Sequence, residues 1–390
     1  MPNFIYLVIE FLDELVFGAN QAAWPLIRTD LSLNYVQIGL LLSIPSIFSG
    51  IIEPFLGILG DVWKRRMLIL GGGIFFALAC LLTGLSPTFA ILLFALIVFY
   101  PSSGAFVTLS QATLMDADPS RHEQNMARWT FAGSLGVVLG PLMLGGMAFI
   151  GFGWRGVFIA LAGVTLIVLL FAWKRVPGDG SEHTPLPRFT EIWAGIRGAL
   201  SALKRGEVLR WLVLLEFSDL MLDVLLGFLA LYFVDVTGVT AGQAALGVAV
   251  WSGLGLLGDF LLIPLLEKVK GLDYLRLSVV IELLLFPTFL LVPNLVFKFV
   301  LLGLLGLFHS GWYAILKGRL YSSMPGQSGT VLTVQNVIGM AGKLLPFGIG
   351  LAAQYLGLKV AMWLLLLGPI ALLIGLPRRS ATNIASTPEV

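Results

Sequence analysis

The sequence predicts an all-α multi-pass membrane protein, with twelve transmembrane helices in two pseudo-symmetric six-helix bundles. Three observations predict it. First, 58% of the 390 residues are hydrophobic, mean hydropathy is +0.94 and only 12% are charged. That is too little charge to cover a soluble surface of this size. Second, the apolar residues fall into runs near the roughly 20 residues that a span needs. Third, the chain repeats at an offset of 206 residues: Glu10, Phe11 and Asp13 recur as Glu216, Phe217 and Asp219. At the same offset Glu53 meets Asp259, Asp61 meets Glu267, Gly133 meets Gly339 and Gly136 meets Gly342. Acids are only 22 of 390 residues, so this many acid-on-acid matches exceed chance. Similar halves with acids inside apolar helices are the layout of a carrier that alternates access around a central site.

The twelve spans fall roughly at 4–27, 36–60, 67–84, 88–112, 126–150, 154–173, 208–234, 242–266, 274–292, 294–318, 327–353 and 358–376. They divide the chain into an N-terminal bundle at 1–173, a cytoplasmic linker at 174–207, a C-terminal bundle at 208–376 and a cytoplasmic tail at 377–390. With both termini inside, all but five of the 24 Lys and Arg lie on the cytoplasmic side. Arg28, Arg155, Lys298 and Lys359 fall outside and Lys343 falls within a span. This bias obeys the positive-inside rule and places the chain in the cell membrane.

Span one carries Glu10, Asp13, Glu14, Phe17, Asn20, Gln21 and Trp24 at steps of three and four, so one helical face is polar and the opposite face apolar. It lacks a basic leader region and is too long for a signal peptide, so it is expected to remain as a helix. Span two carries Glu53, followed by Asp61 and the basic run Lys64, Arg65 and Arg66. Span three holds the single Cys80, which excludes an internal disulfide. Span four offers Gln111. Span five collects Gly133, Gly136, Gly140, Gly145 and Gly146, small residues that let helices approach closely. The linker is rich in Pro and Gly, then offers an amphipathic segment (Ile192, Trp193, Ile196, Leu200, Leu203) suited to the cytoplasmic lipid surface.

Span seven repeats the acidic stripe as Glu216, Asp219 and Asp223, and span eight carries Asp259. Glu282 in span nine is expected to serve packing. Span ten offers His309, Trp312 and Tyr313, and span eleven offers Gln335, Asn336 and Lys343. Trp24, Trp251, Trp312 and Tyr313 are candidates to stack a flat or cationic substrate, or to anchor the interfaces.

Each Asp at the centre of a span costs about 2.5–3.5 kcal/mol. Nine acids share the spans with one firm cation, Lys343. They cannot all be ionised and unpaired, so some hold protons and others face water or a bound cation. Asp13 and Asp219 are the expected proton-linked pair, with Glu14 and Asp223 next, and Glu10 and Glu216 nearer an inner gate. No Walker-type loop, HExxH motif, Cys/His cluster of zinc spacing, nucleophile–base pair or nucleic-acid patch occurs. The sequence therefore points away from an enzyme, a cofactor, a metal centre and nucleic acid.

After span two the chain reads Gly57-Ile58-Leu59-Gly60-Asp61-Val62-Trp63-Lys64-Arg65-Arg66. With Gly136-x-x-x-Gly140-Pro141 and Gly145-Gly146 in span five, and Trp154-Arg155 opening span six, the whole chain resembles the major facilitator superfamily. Val62 and Lys64 depart from the family's usual Arg and Gly, and the span-five motif of proton-coupled exporters has one residue too many. The resemblance implies that spans one and seven line a central cavity and that the protein works as a monomer. It also implies that Glu53, Asp61, Arg65 and Asp259 are gate latches. The expected partners are a small-molecule substrate, protons as coupling ion and the lipid bilayer. The expected function is proton-coupled export of a cationic or amphiphilic molecule. The alternatives are symport of a sugar or other neutral metabolite, divalent metal transport, or a lipid scramblase or receptor on the same scaffold.

Overall fold

The computed structural model describes residues 4–62, 64–116, 122–176, 203–324, 335 and 338–377. Asn336, the amphipathic linker segment up to Leu200, the tail beyond 377 and the side chain of Asp61 lie outside what is described. The described residues are helical throughout, in the order α1 Phe4–Asp30, α2 Tyr35–Val62, α3 Arg65–Leu85, α4 Phe89–Ser103, α5 Leu109–Asp116, α6 His122–Phe149 and α7 Gly153–Arg175. Then follow α8 Gly206–Ser218, α9 Leu225–Asp235, α10 Ala241–Lys268, α11 Gly271–Leu291, α12 Leu295–Phe308, α13 Trp312–Ser322, α14 Leu345–Leu356, α15 Leu358–Trp363 and α16 Leu367–Gly375.

Among the described residues, nine helices are long and apolar enough to cross a membrane. α1 is not one of them, because it carries Glu10, Asp13 and Glu14. The apolar outer surface is what lipid contact requires. On α7, Leu166, Ile167, Leu170 and Phe171 are exposed while Leu161, Thr165, Val168 and Ala172 are buried, one face to lipid and one to protein.

The 206-residue repeat reappears in local structure. Thr88 caps α4 by accepting from Ile91 N at 3.4 Å, and Asn294 caps α12 by accepting from Phe297 N at 3.0 Å. α4 passes into α5 through a π turn at Gly104–Thr108. At the matching place α12 stops at Phe308 and α13 begins at Trp312, with Gly311 at φ 75°. Such backbone needs local hydrogen-bond partners at membrane depth. Ser310 Oγ donates to Gly255 O at 2.9 Å and Gly306 O at 3.1 Å, and Gly311 N donates to Asp259 Oδ1 at 3.0 Å. Span seven is also interrupted, by a π turn at Leu220–Val224 between α8 and α9. Its counterpart, α1, runs unbroken.

α1 packs on α6 closely enough that a Cβ on Gly140 would fall 2.5 Å from Ala19 N. Contacts across the sequence halves run between α1 and α9, α6 and α10, and α2 and α14. Lys298, placed near the outer face of the membrane by its sequence position, is only 3% exposed. Its Nζ donates to Tyr232 OH at 2.9 Å and to Phe289 O, and lies over both rings. The aromatic box of α9, α11 and α12 thus holds a cation by π-faces and oxygen acceptors.

Candidate functional site

A cavity of about 290 Å³ lies between the sequence halves. From the N-terminal half come Phe17 and Gln21 of α1, Leu42 and Ser46 of α2, and Tyr100 of α4. From the C-terminal half come Glu216, Asp219, Asp223 and Val224, then Gln335, Gly339, Gly342, Lys343 and Pro346. Three carboxylates and one ammonium therefore share one small space. Asp219 lies within electrostatic reach of both Asp223 and Glu216. The π turn brings these acids together. It changes the rotation of the helix after Asp219, so Asp223 and Val224 face the same space as Glu216.

The acids of α1 stand behind this cavity instead of lining it. Asp13 faces Ser103 and Glu53. Glu14 lies within electrostatic reach of Asp13, Glu10 and Asp223, so the two acidic stripes do meet, at Glu14 and Asp223. Tyr100, which the sequence reading did not single out, lies within reach of both Asp223 and Asp13. A Tyr-Pro pair inside span four was the available signal.

Glycines make the seats for two of the carboxylates. A Cβ on Gly133 would fall 2.6 Å from Glu10 Oε1, and one on Gly342 would collide with Glu216 Oε2. Glu10 and Glu216 are repeat partners, and so are Gly133 and Gly339, which lies one turn from Gly342 and 3.6 Å, as a Cβ, from Glu216 Oε1. The same packing is built twice.

The gate candidates take different partners. Glu53 accepts from Ser49 Oγ and packs on Gly104 of the π turn. Asp259 accepts from Gly311 N instead of meeting the basic run. Arg66 donates to Trp173 O at 2.6 Å, tying α3 to α7. Arg65 is half-buried at the start of α3.

Several expected contributors sit elsewhere. Trp312 is fully buried away from the cavity, its Nε1 donating to Ser278 Oγ at 2.8 Å, so its polar edge is committed to packing. Trp24 donates to its neighbour Gln21 at 3.3 Å. Trp251 stacks on His309 at 4.5 Å. Tyr313 is exposed beside Lys317. The aromatic groups on the cavity are Phe17 and Tyr100. Gln111 on α5 is half-buried and does not line it. Glu282 is completely buried on α11, both carboxylate oxygens without a hydrogen-bond partner among the described residues. Among the described residues no three His, Cys, Asp or Glu group as a metal site.

One end of the cavity is shut. Arg28 Nη1 meets Asp235 Oδ2 at 2.7 Å, and Tyr35 OH donates to the same oxygen at 2.9 Å. Gln354 Oε1 accepts from Tyr35 N at 3.1 Å, and Ser43 Oγ accepts from Phe347 N at 3.1 Å. Between them α2 and α14 touch backbone to backbone, a Cβ on Gly39 falling 2.9 Å from Phe347 Cα. Farther along α2, the three atoms nearest to a Cβ on Gly50 all belong to the Lys343 side chain.

Repeated membrane helices enclosing a charged cavity between two halves define a multi-pass membrane transporter, not an enzyme. A family model described as Major Facilitator Superfamily matches residues 6–347, and the chain belongs to that superfamily. The transcription regulatory protein OpdE of Pseudomonas aeruginosa is 23% identical over 306 residues, 74% of this chain and 71% of that protein. The quinolone resistance protein NorA of Staphylococcus aureus is 26% identical over 187 residues, 47% of this chain and 48% of NorA, so the match spans about half of that relative. The nucleoside transporter NupG shares the fold, with a TM-score of 0.76 at 12% identity, over 96% of this chain and 98% of NupG.

Proposed function

We propose that this chain is a proton-coupled antiporter that exports a cationic or amphiphilic small molecule by alternating access. The observation that carries the reading is the cavity between the halves, with Glu216, Asp219 and Asp223 on one wall. Like charges this close in a confined site share protons or bind a cation. A proton entering the cluster weakens its hold on the cation, and a cation entering expels a proton. That exchange is antiport. Its driving terms are the pH gradient and the membrane potential, about 2.3 kcal/mol per charge per 100 mV. The likeness to NorA, over half of each chain, supports the export direction.

In this reading the halves are six-helix bundles at 1–173 and 208–376, joined by the linker at 174–207, with both termini in the cytoplasm. Asp219 and Asp223 exchange the proton, Asp13 and Glu14 form the relay behind them, and Gln21, Gln335 and Tyr100 orient the substrate. The shut end at Arg28, Tyr35 and Asp235 faces outward, so the conformation described is inward-facing.

The test uses purified protein in liposomes with a trapped pH dye. A proton gradient is imposed, then candidate cations, sugars and divalent metals are added in turn. Cations should dissipate the gradient with wild-type protein and fail to do so with Asp219→Asn. Gradient dissipation by sugars alone would replace antiport with symport. Lipid movement without proton movement would leave a scramblase.

A further inference from the structure

Lys343 has no counterpart in the repeat. Its partner position is Val137, and the N-terminal half carries no cation at that depth of span five. The Lys343 side chain starts in the C-terminal half, beside Gly342, and its Nζ ends on Gly50 of α2 in the other half. A Cβ at Gly50 would occupy the place of that ammonium. Glu53 lies one helical turn beyond Gly50, and both Glu53 and Glu216 are within electrostatic reach of Lys343. Lys343 and Glu216 also line the same cavity. A flexible four-carbon stem thus holds a positive charge among carboxylates of both halves, in the space where a cationic cargo would lie.

We propose that Lys343 is a tethered surrogate for the cargo: its ammonium stands between Glu53 and Glu216 in the empty carrier, and a cationic substrate binds by taking over its place in the field of these carboxylates. This rests on the antiporter reading and adds a competition to it. In the empty carrier the ammonium offsets one of the three cavity carboxylates, which lowers the cost of reorienting without cargo. Binding is correspondingly weaker than the three cavity carboxylates alone would give. The geometry also narrows the cargo: it carries a positive group that takes over the place of the lysine ammonium near Glu216.

The test is equilibrium binding of tetraethylammonium, and of the zwitterion trimethylglycine, to the purified full-length protein. Wild type is compared with Lys343→Met, Lys343→Arg and Gly50→Leu. Gly50→Leu evicts the ammonium by bulk and leaves the lysine in place, so it tests the idea independently. Tetraethylammonium should bind about tenfold more tightly to Lys343→Met and to Gly50→Leu, and about as in wild type to Lys343→Arg. Wild-type binding that is unchanged or weakened in both Lys343→Met and Gly50→Leu overturns the surrogate and leaves the antiporter reading intact. Loss of trimethylglycine binding in Lys343→Met, with tetraethylammonium unchanged, also overturns it, because Lys343 would then hold an acid group of the substrate. Failure of every form to bind tetraethylammonium overturns both.

Discussion

Glu10 rests on Gly133, and the contact is possible only because Gly133 has no side chain. The second half of the chain repeats it with Glu216 on Gly339 and Gly342. Span-five and span-eleven glycines are thus more than close-packing devices, which is how their sequence pattern reads. They set the depth at which two carboxylates enter the bundle.

Filling these seats should displace the acids. Gly133→Leu and Gly342→Leu should each reduce transport at least about tenfold while costing about 1–3 kcal/mol of stability from overpacking. Gly146→Leu is the control, since a Cβ there meets nothing within 4 Å. Transport by proteoliposomes and thermal melting in detergent measure the two effects. Wild-type transport by both seat variants would show that the acids need no fixed position.

The backbone contact of α2 with α14 can be wedged. A Cβ on Gly350 would fall 2.5 Å from Tyr35 O and one on Gly39 2.9 Å from Phe347 Cα, so neither position has room for a side chain while this end is shut. The natural Cys80 is buried and does not interfere with thiol labelling. Gly350→Leu should hold this end apart, and a cysteine introduced as Gln354→Cys should then react several-fold faster with a membrane-impermeant thiol reagent than it does without the wedge. Unchanged labelling would mean that closure does not depend on this contact.

Asp235 joins two partners of the opposite half at the shut end. Removing it by Asp235→Ala frees Arg28 and Tyr35. The pair is partly exposed, so the loss is about 1 kcal/mol or less. That shifts the balance of conformations by a factor of at most about five. A cysteine introduced as Gln354→Cys should react correspondingly faster with a membrane-impermeant thiol reagent. Unchanged labelling would place the energy of closure in the helix packing alone.

Trp312→Phe tests whether that ring serves packing or binding. It deprives Ser278 Oγ of its buried donor, and the cost should be about 1–3 kcal/mol in stability. Substrate affinity should stay as in wild type. A change in affinity without a change in melting would return Trp312 to the binding site.

The sequence announces its membrane helices because lipid leaves no ambiguity about apolar runs, and the repeat points to two of the cavity acids, Glu216 and Asp219, while Asp223 and Lys343 are matched in it by Phe17 and Val137. Glu216, Asp219, Asp223, Gln335 and Lys343 all reach the cavity. Helical periodicity predicted the α1 stripe correctly as a face, but not which part of the face meets the cavity. That depends on how α1 tilts against α6, and only Phe17 and Gln21 reach it. The interruptions at Leu220–Val224 and Gly104–Thr108 left no mark a regular pattern can show, because a π turn shifts the register of everything after it. The burial of Trp312 and Lys298 is not legible in the sequence for one reason. Each satisfies its polar atoms through Ser278 or Tyr232, partners more than 30 residues away in the chain.

The glycine contact between α2 and α14 also has a mechanical meaning. It lies close to one end of a 28-residue helix, with Gly39 only four residues after Tyr35. From there to Val62 the helix extends about 35 Å at about 1.5 Å per residue, so a rotation of about 15° about the contact carries the far end about 9 Å. Under the alternating-access mechanism proposed above, a fulcrum placed so near the rim would convert a small slip between two backbones into an opening wide enough for a molecule to pass.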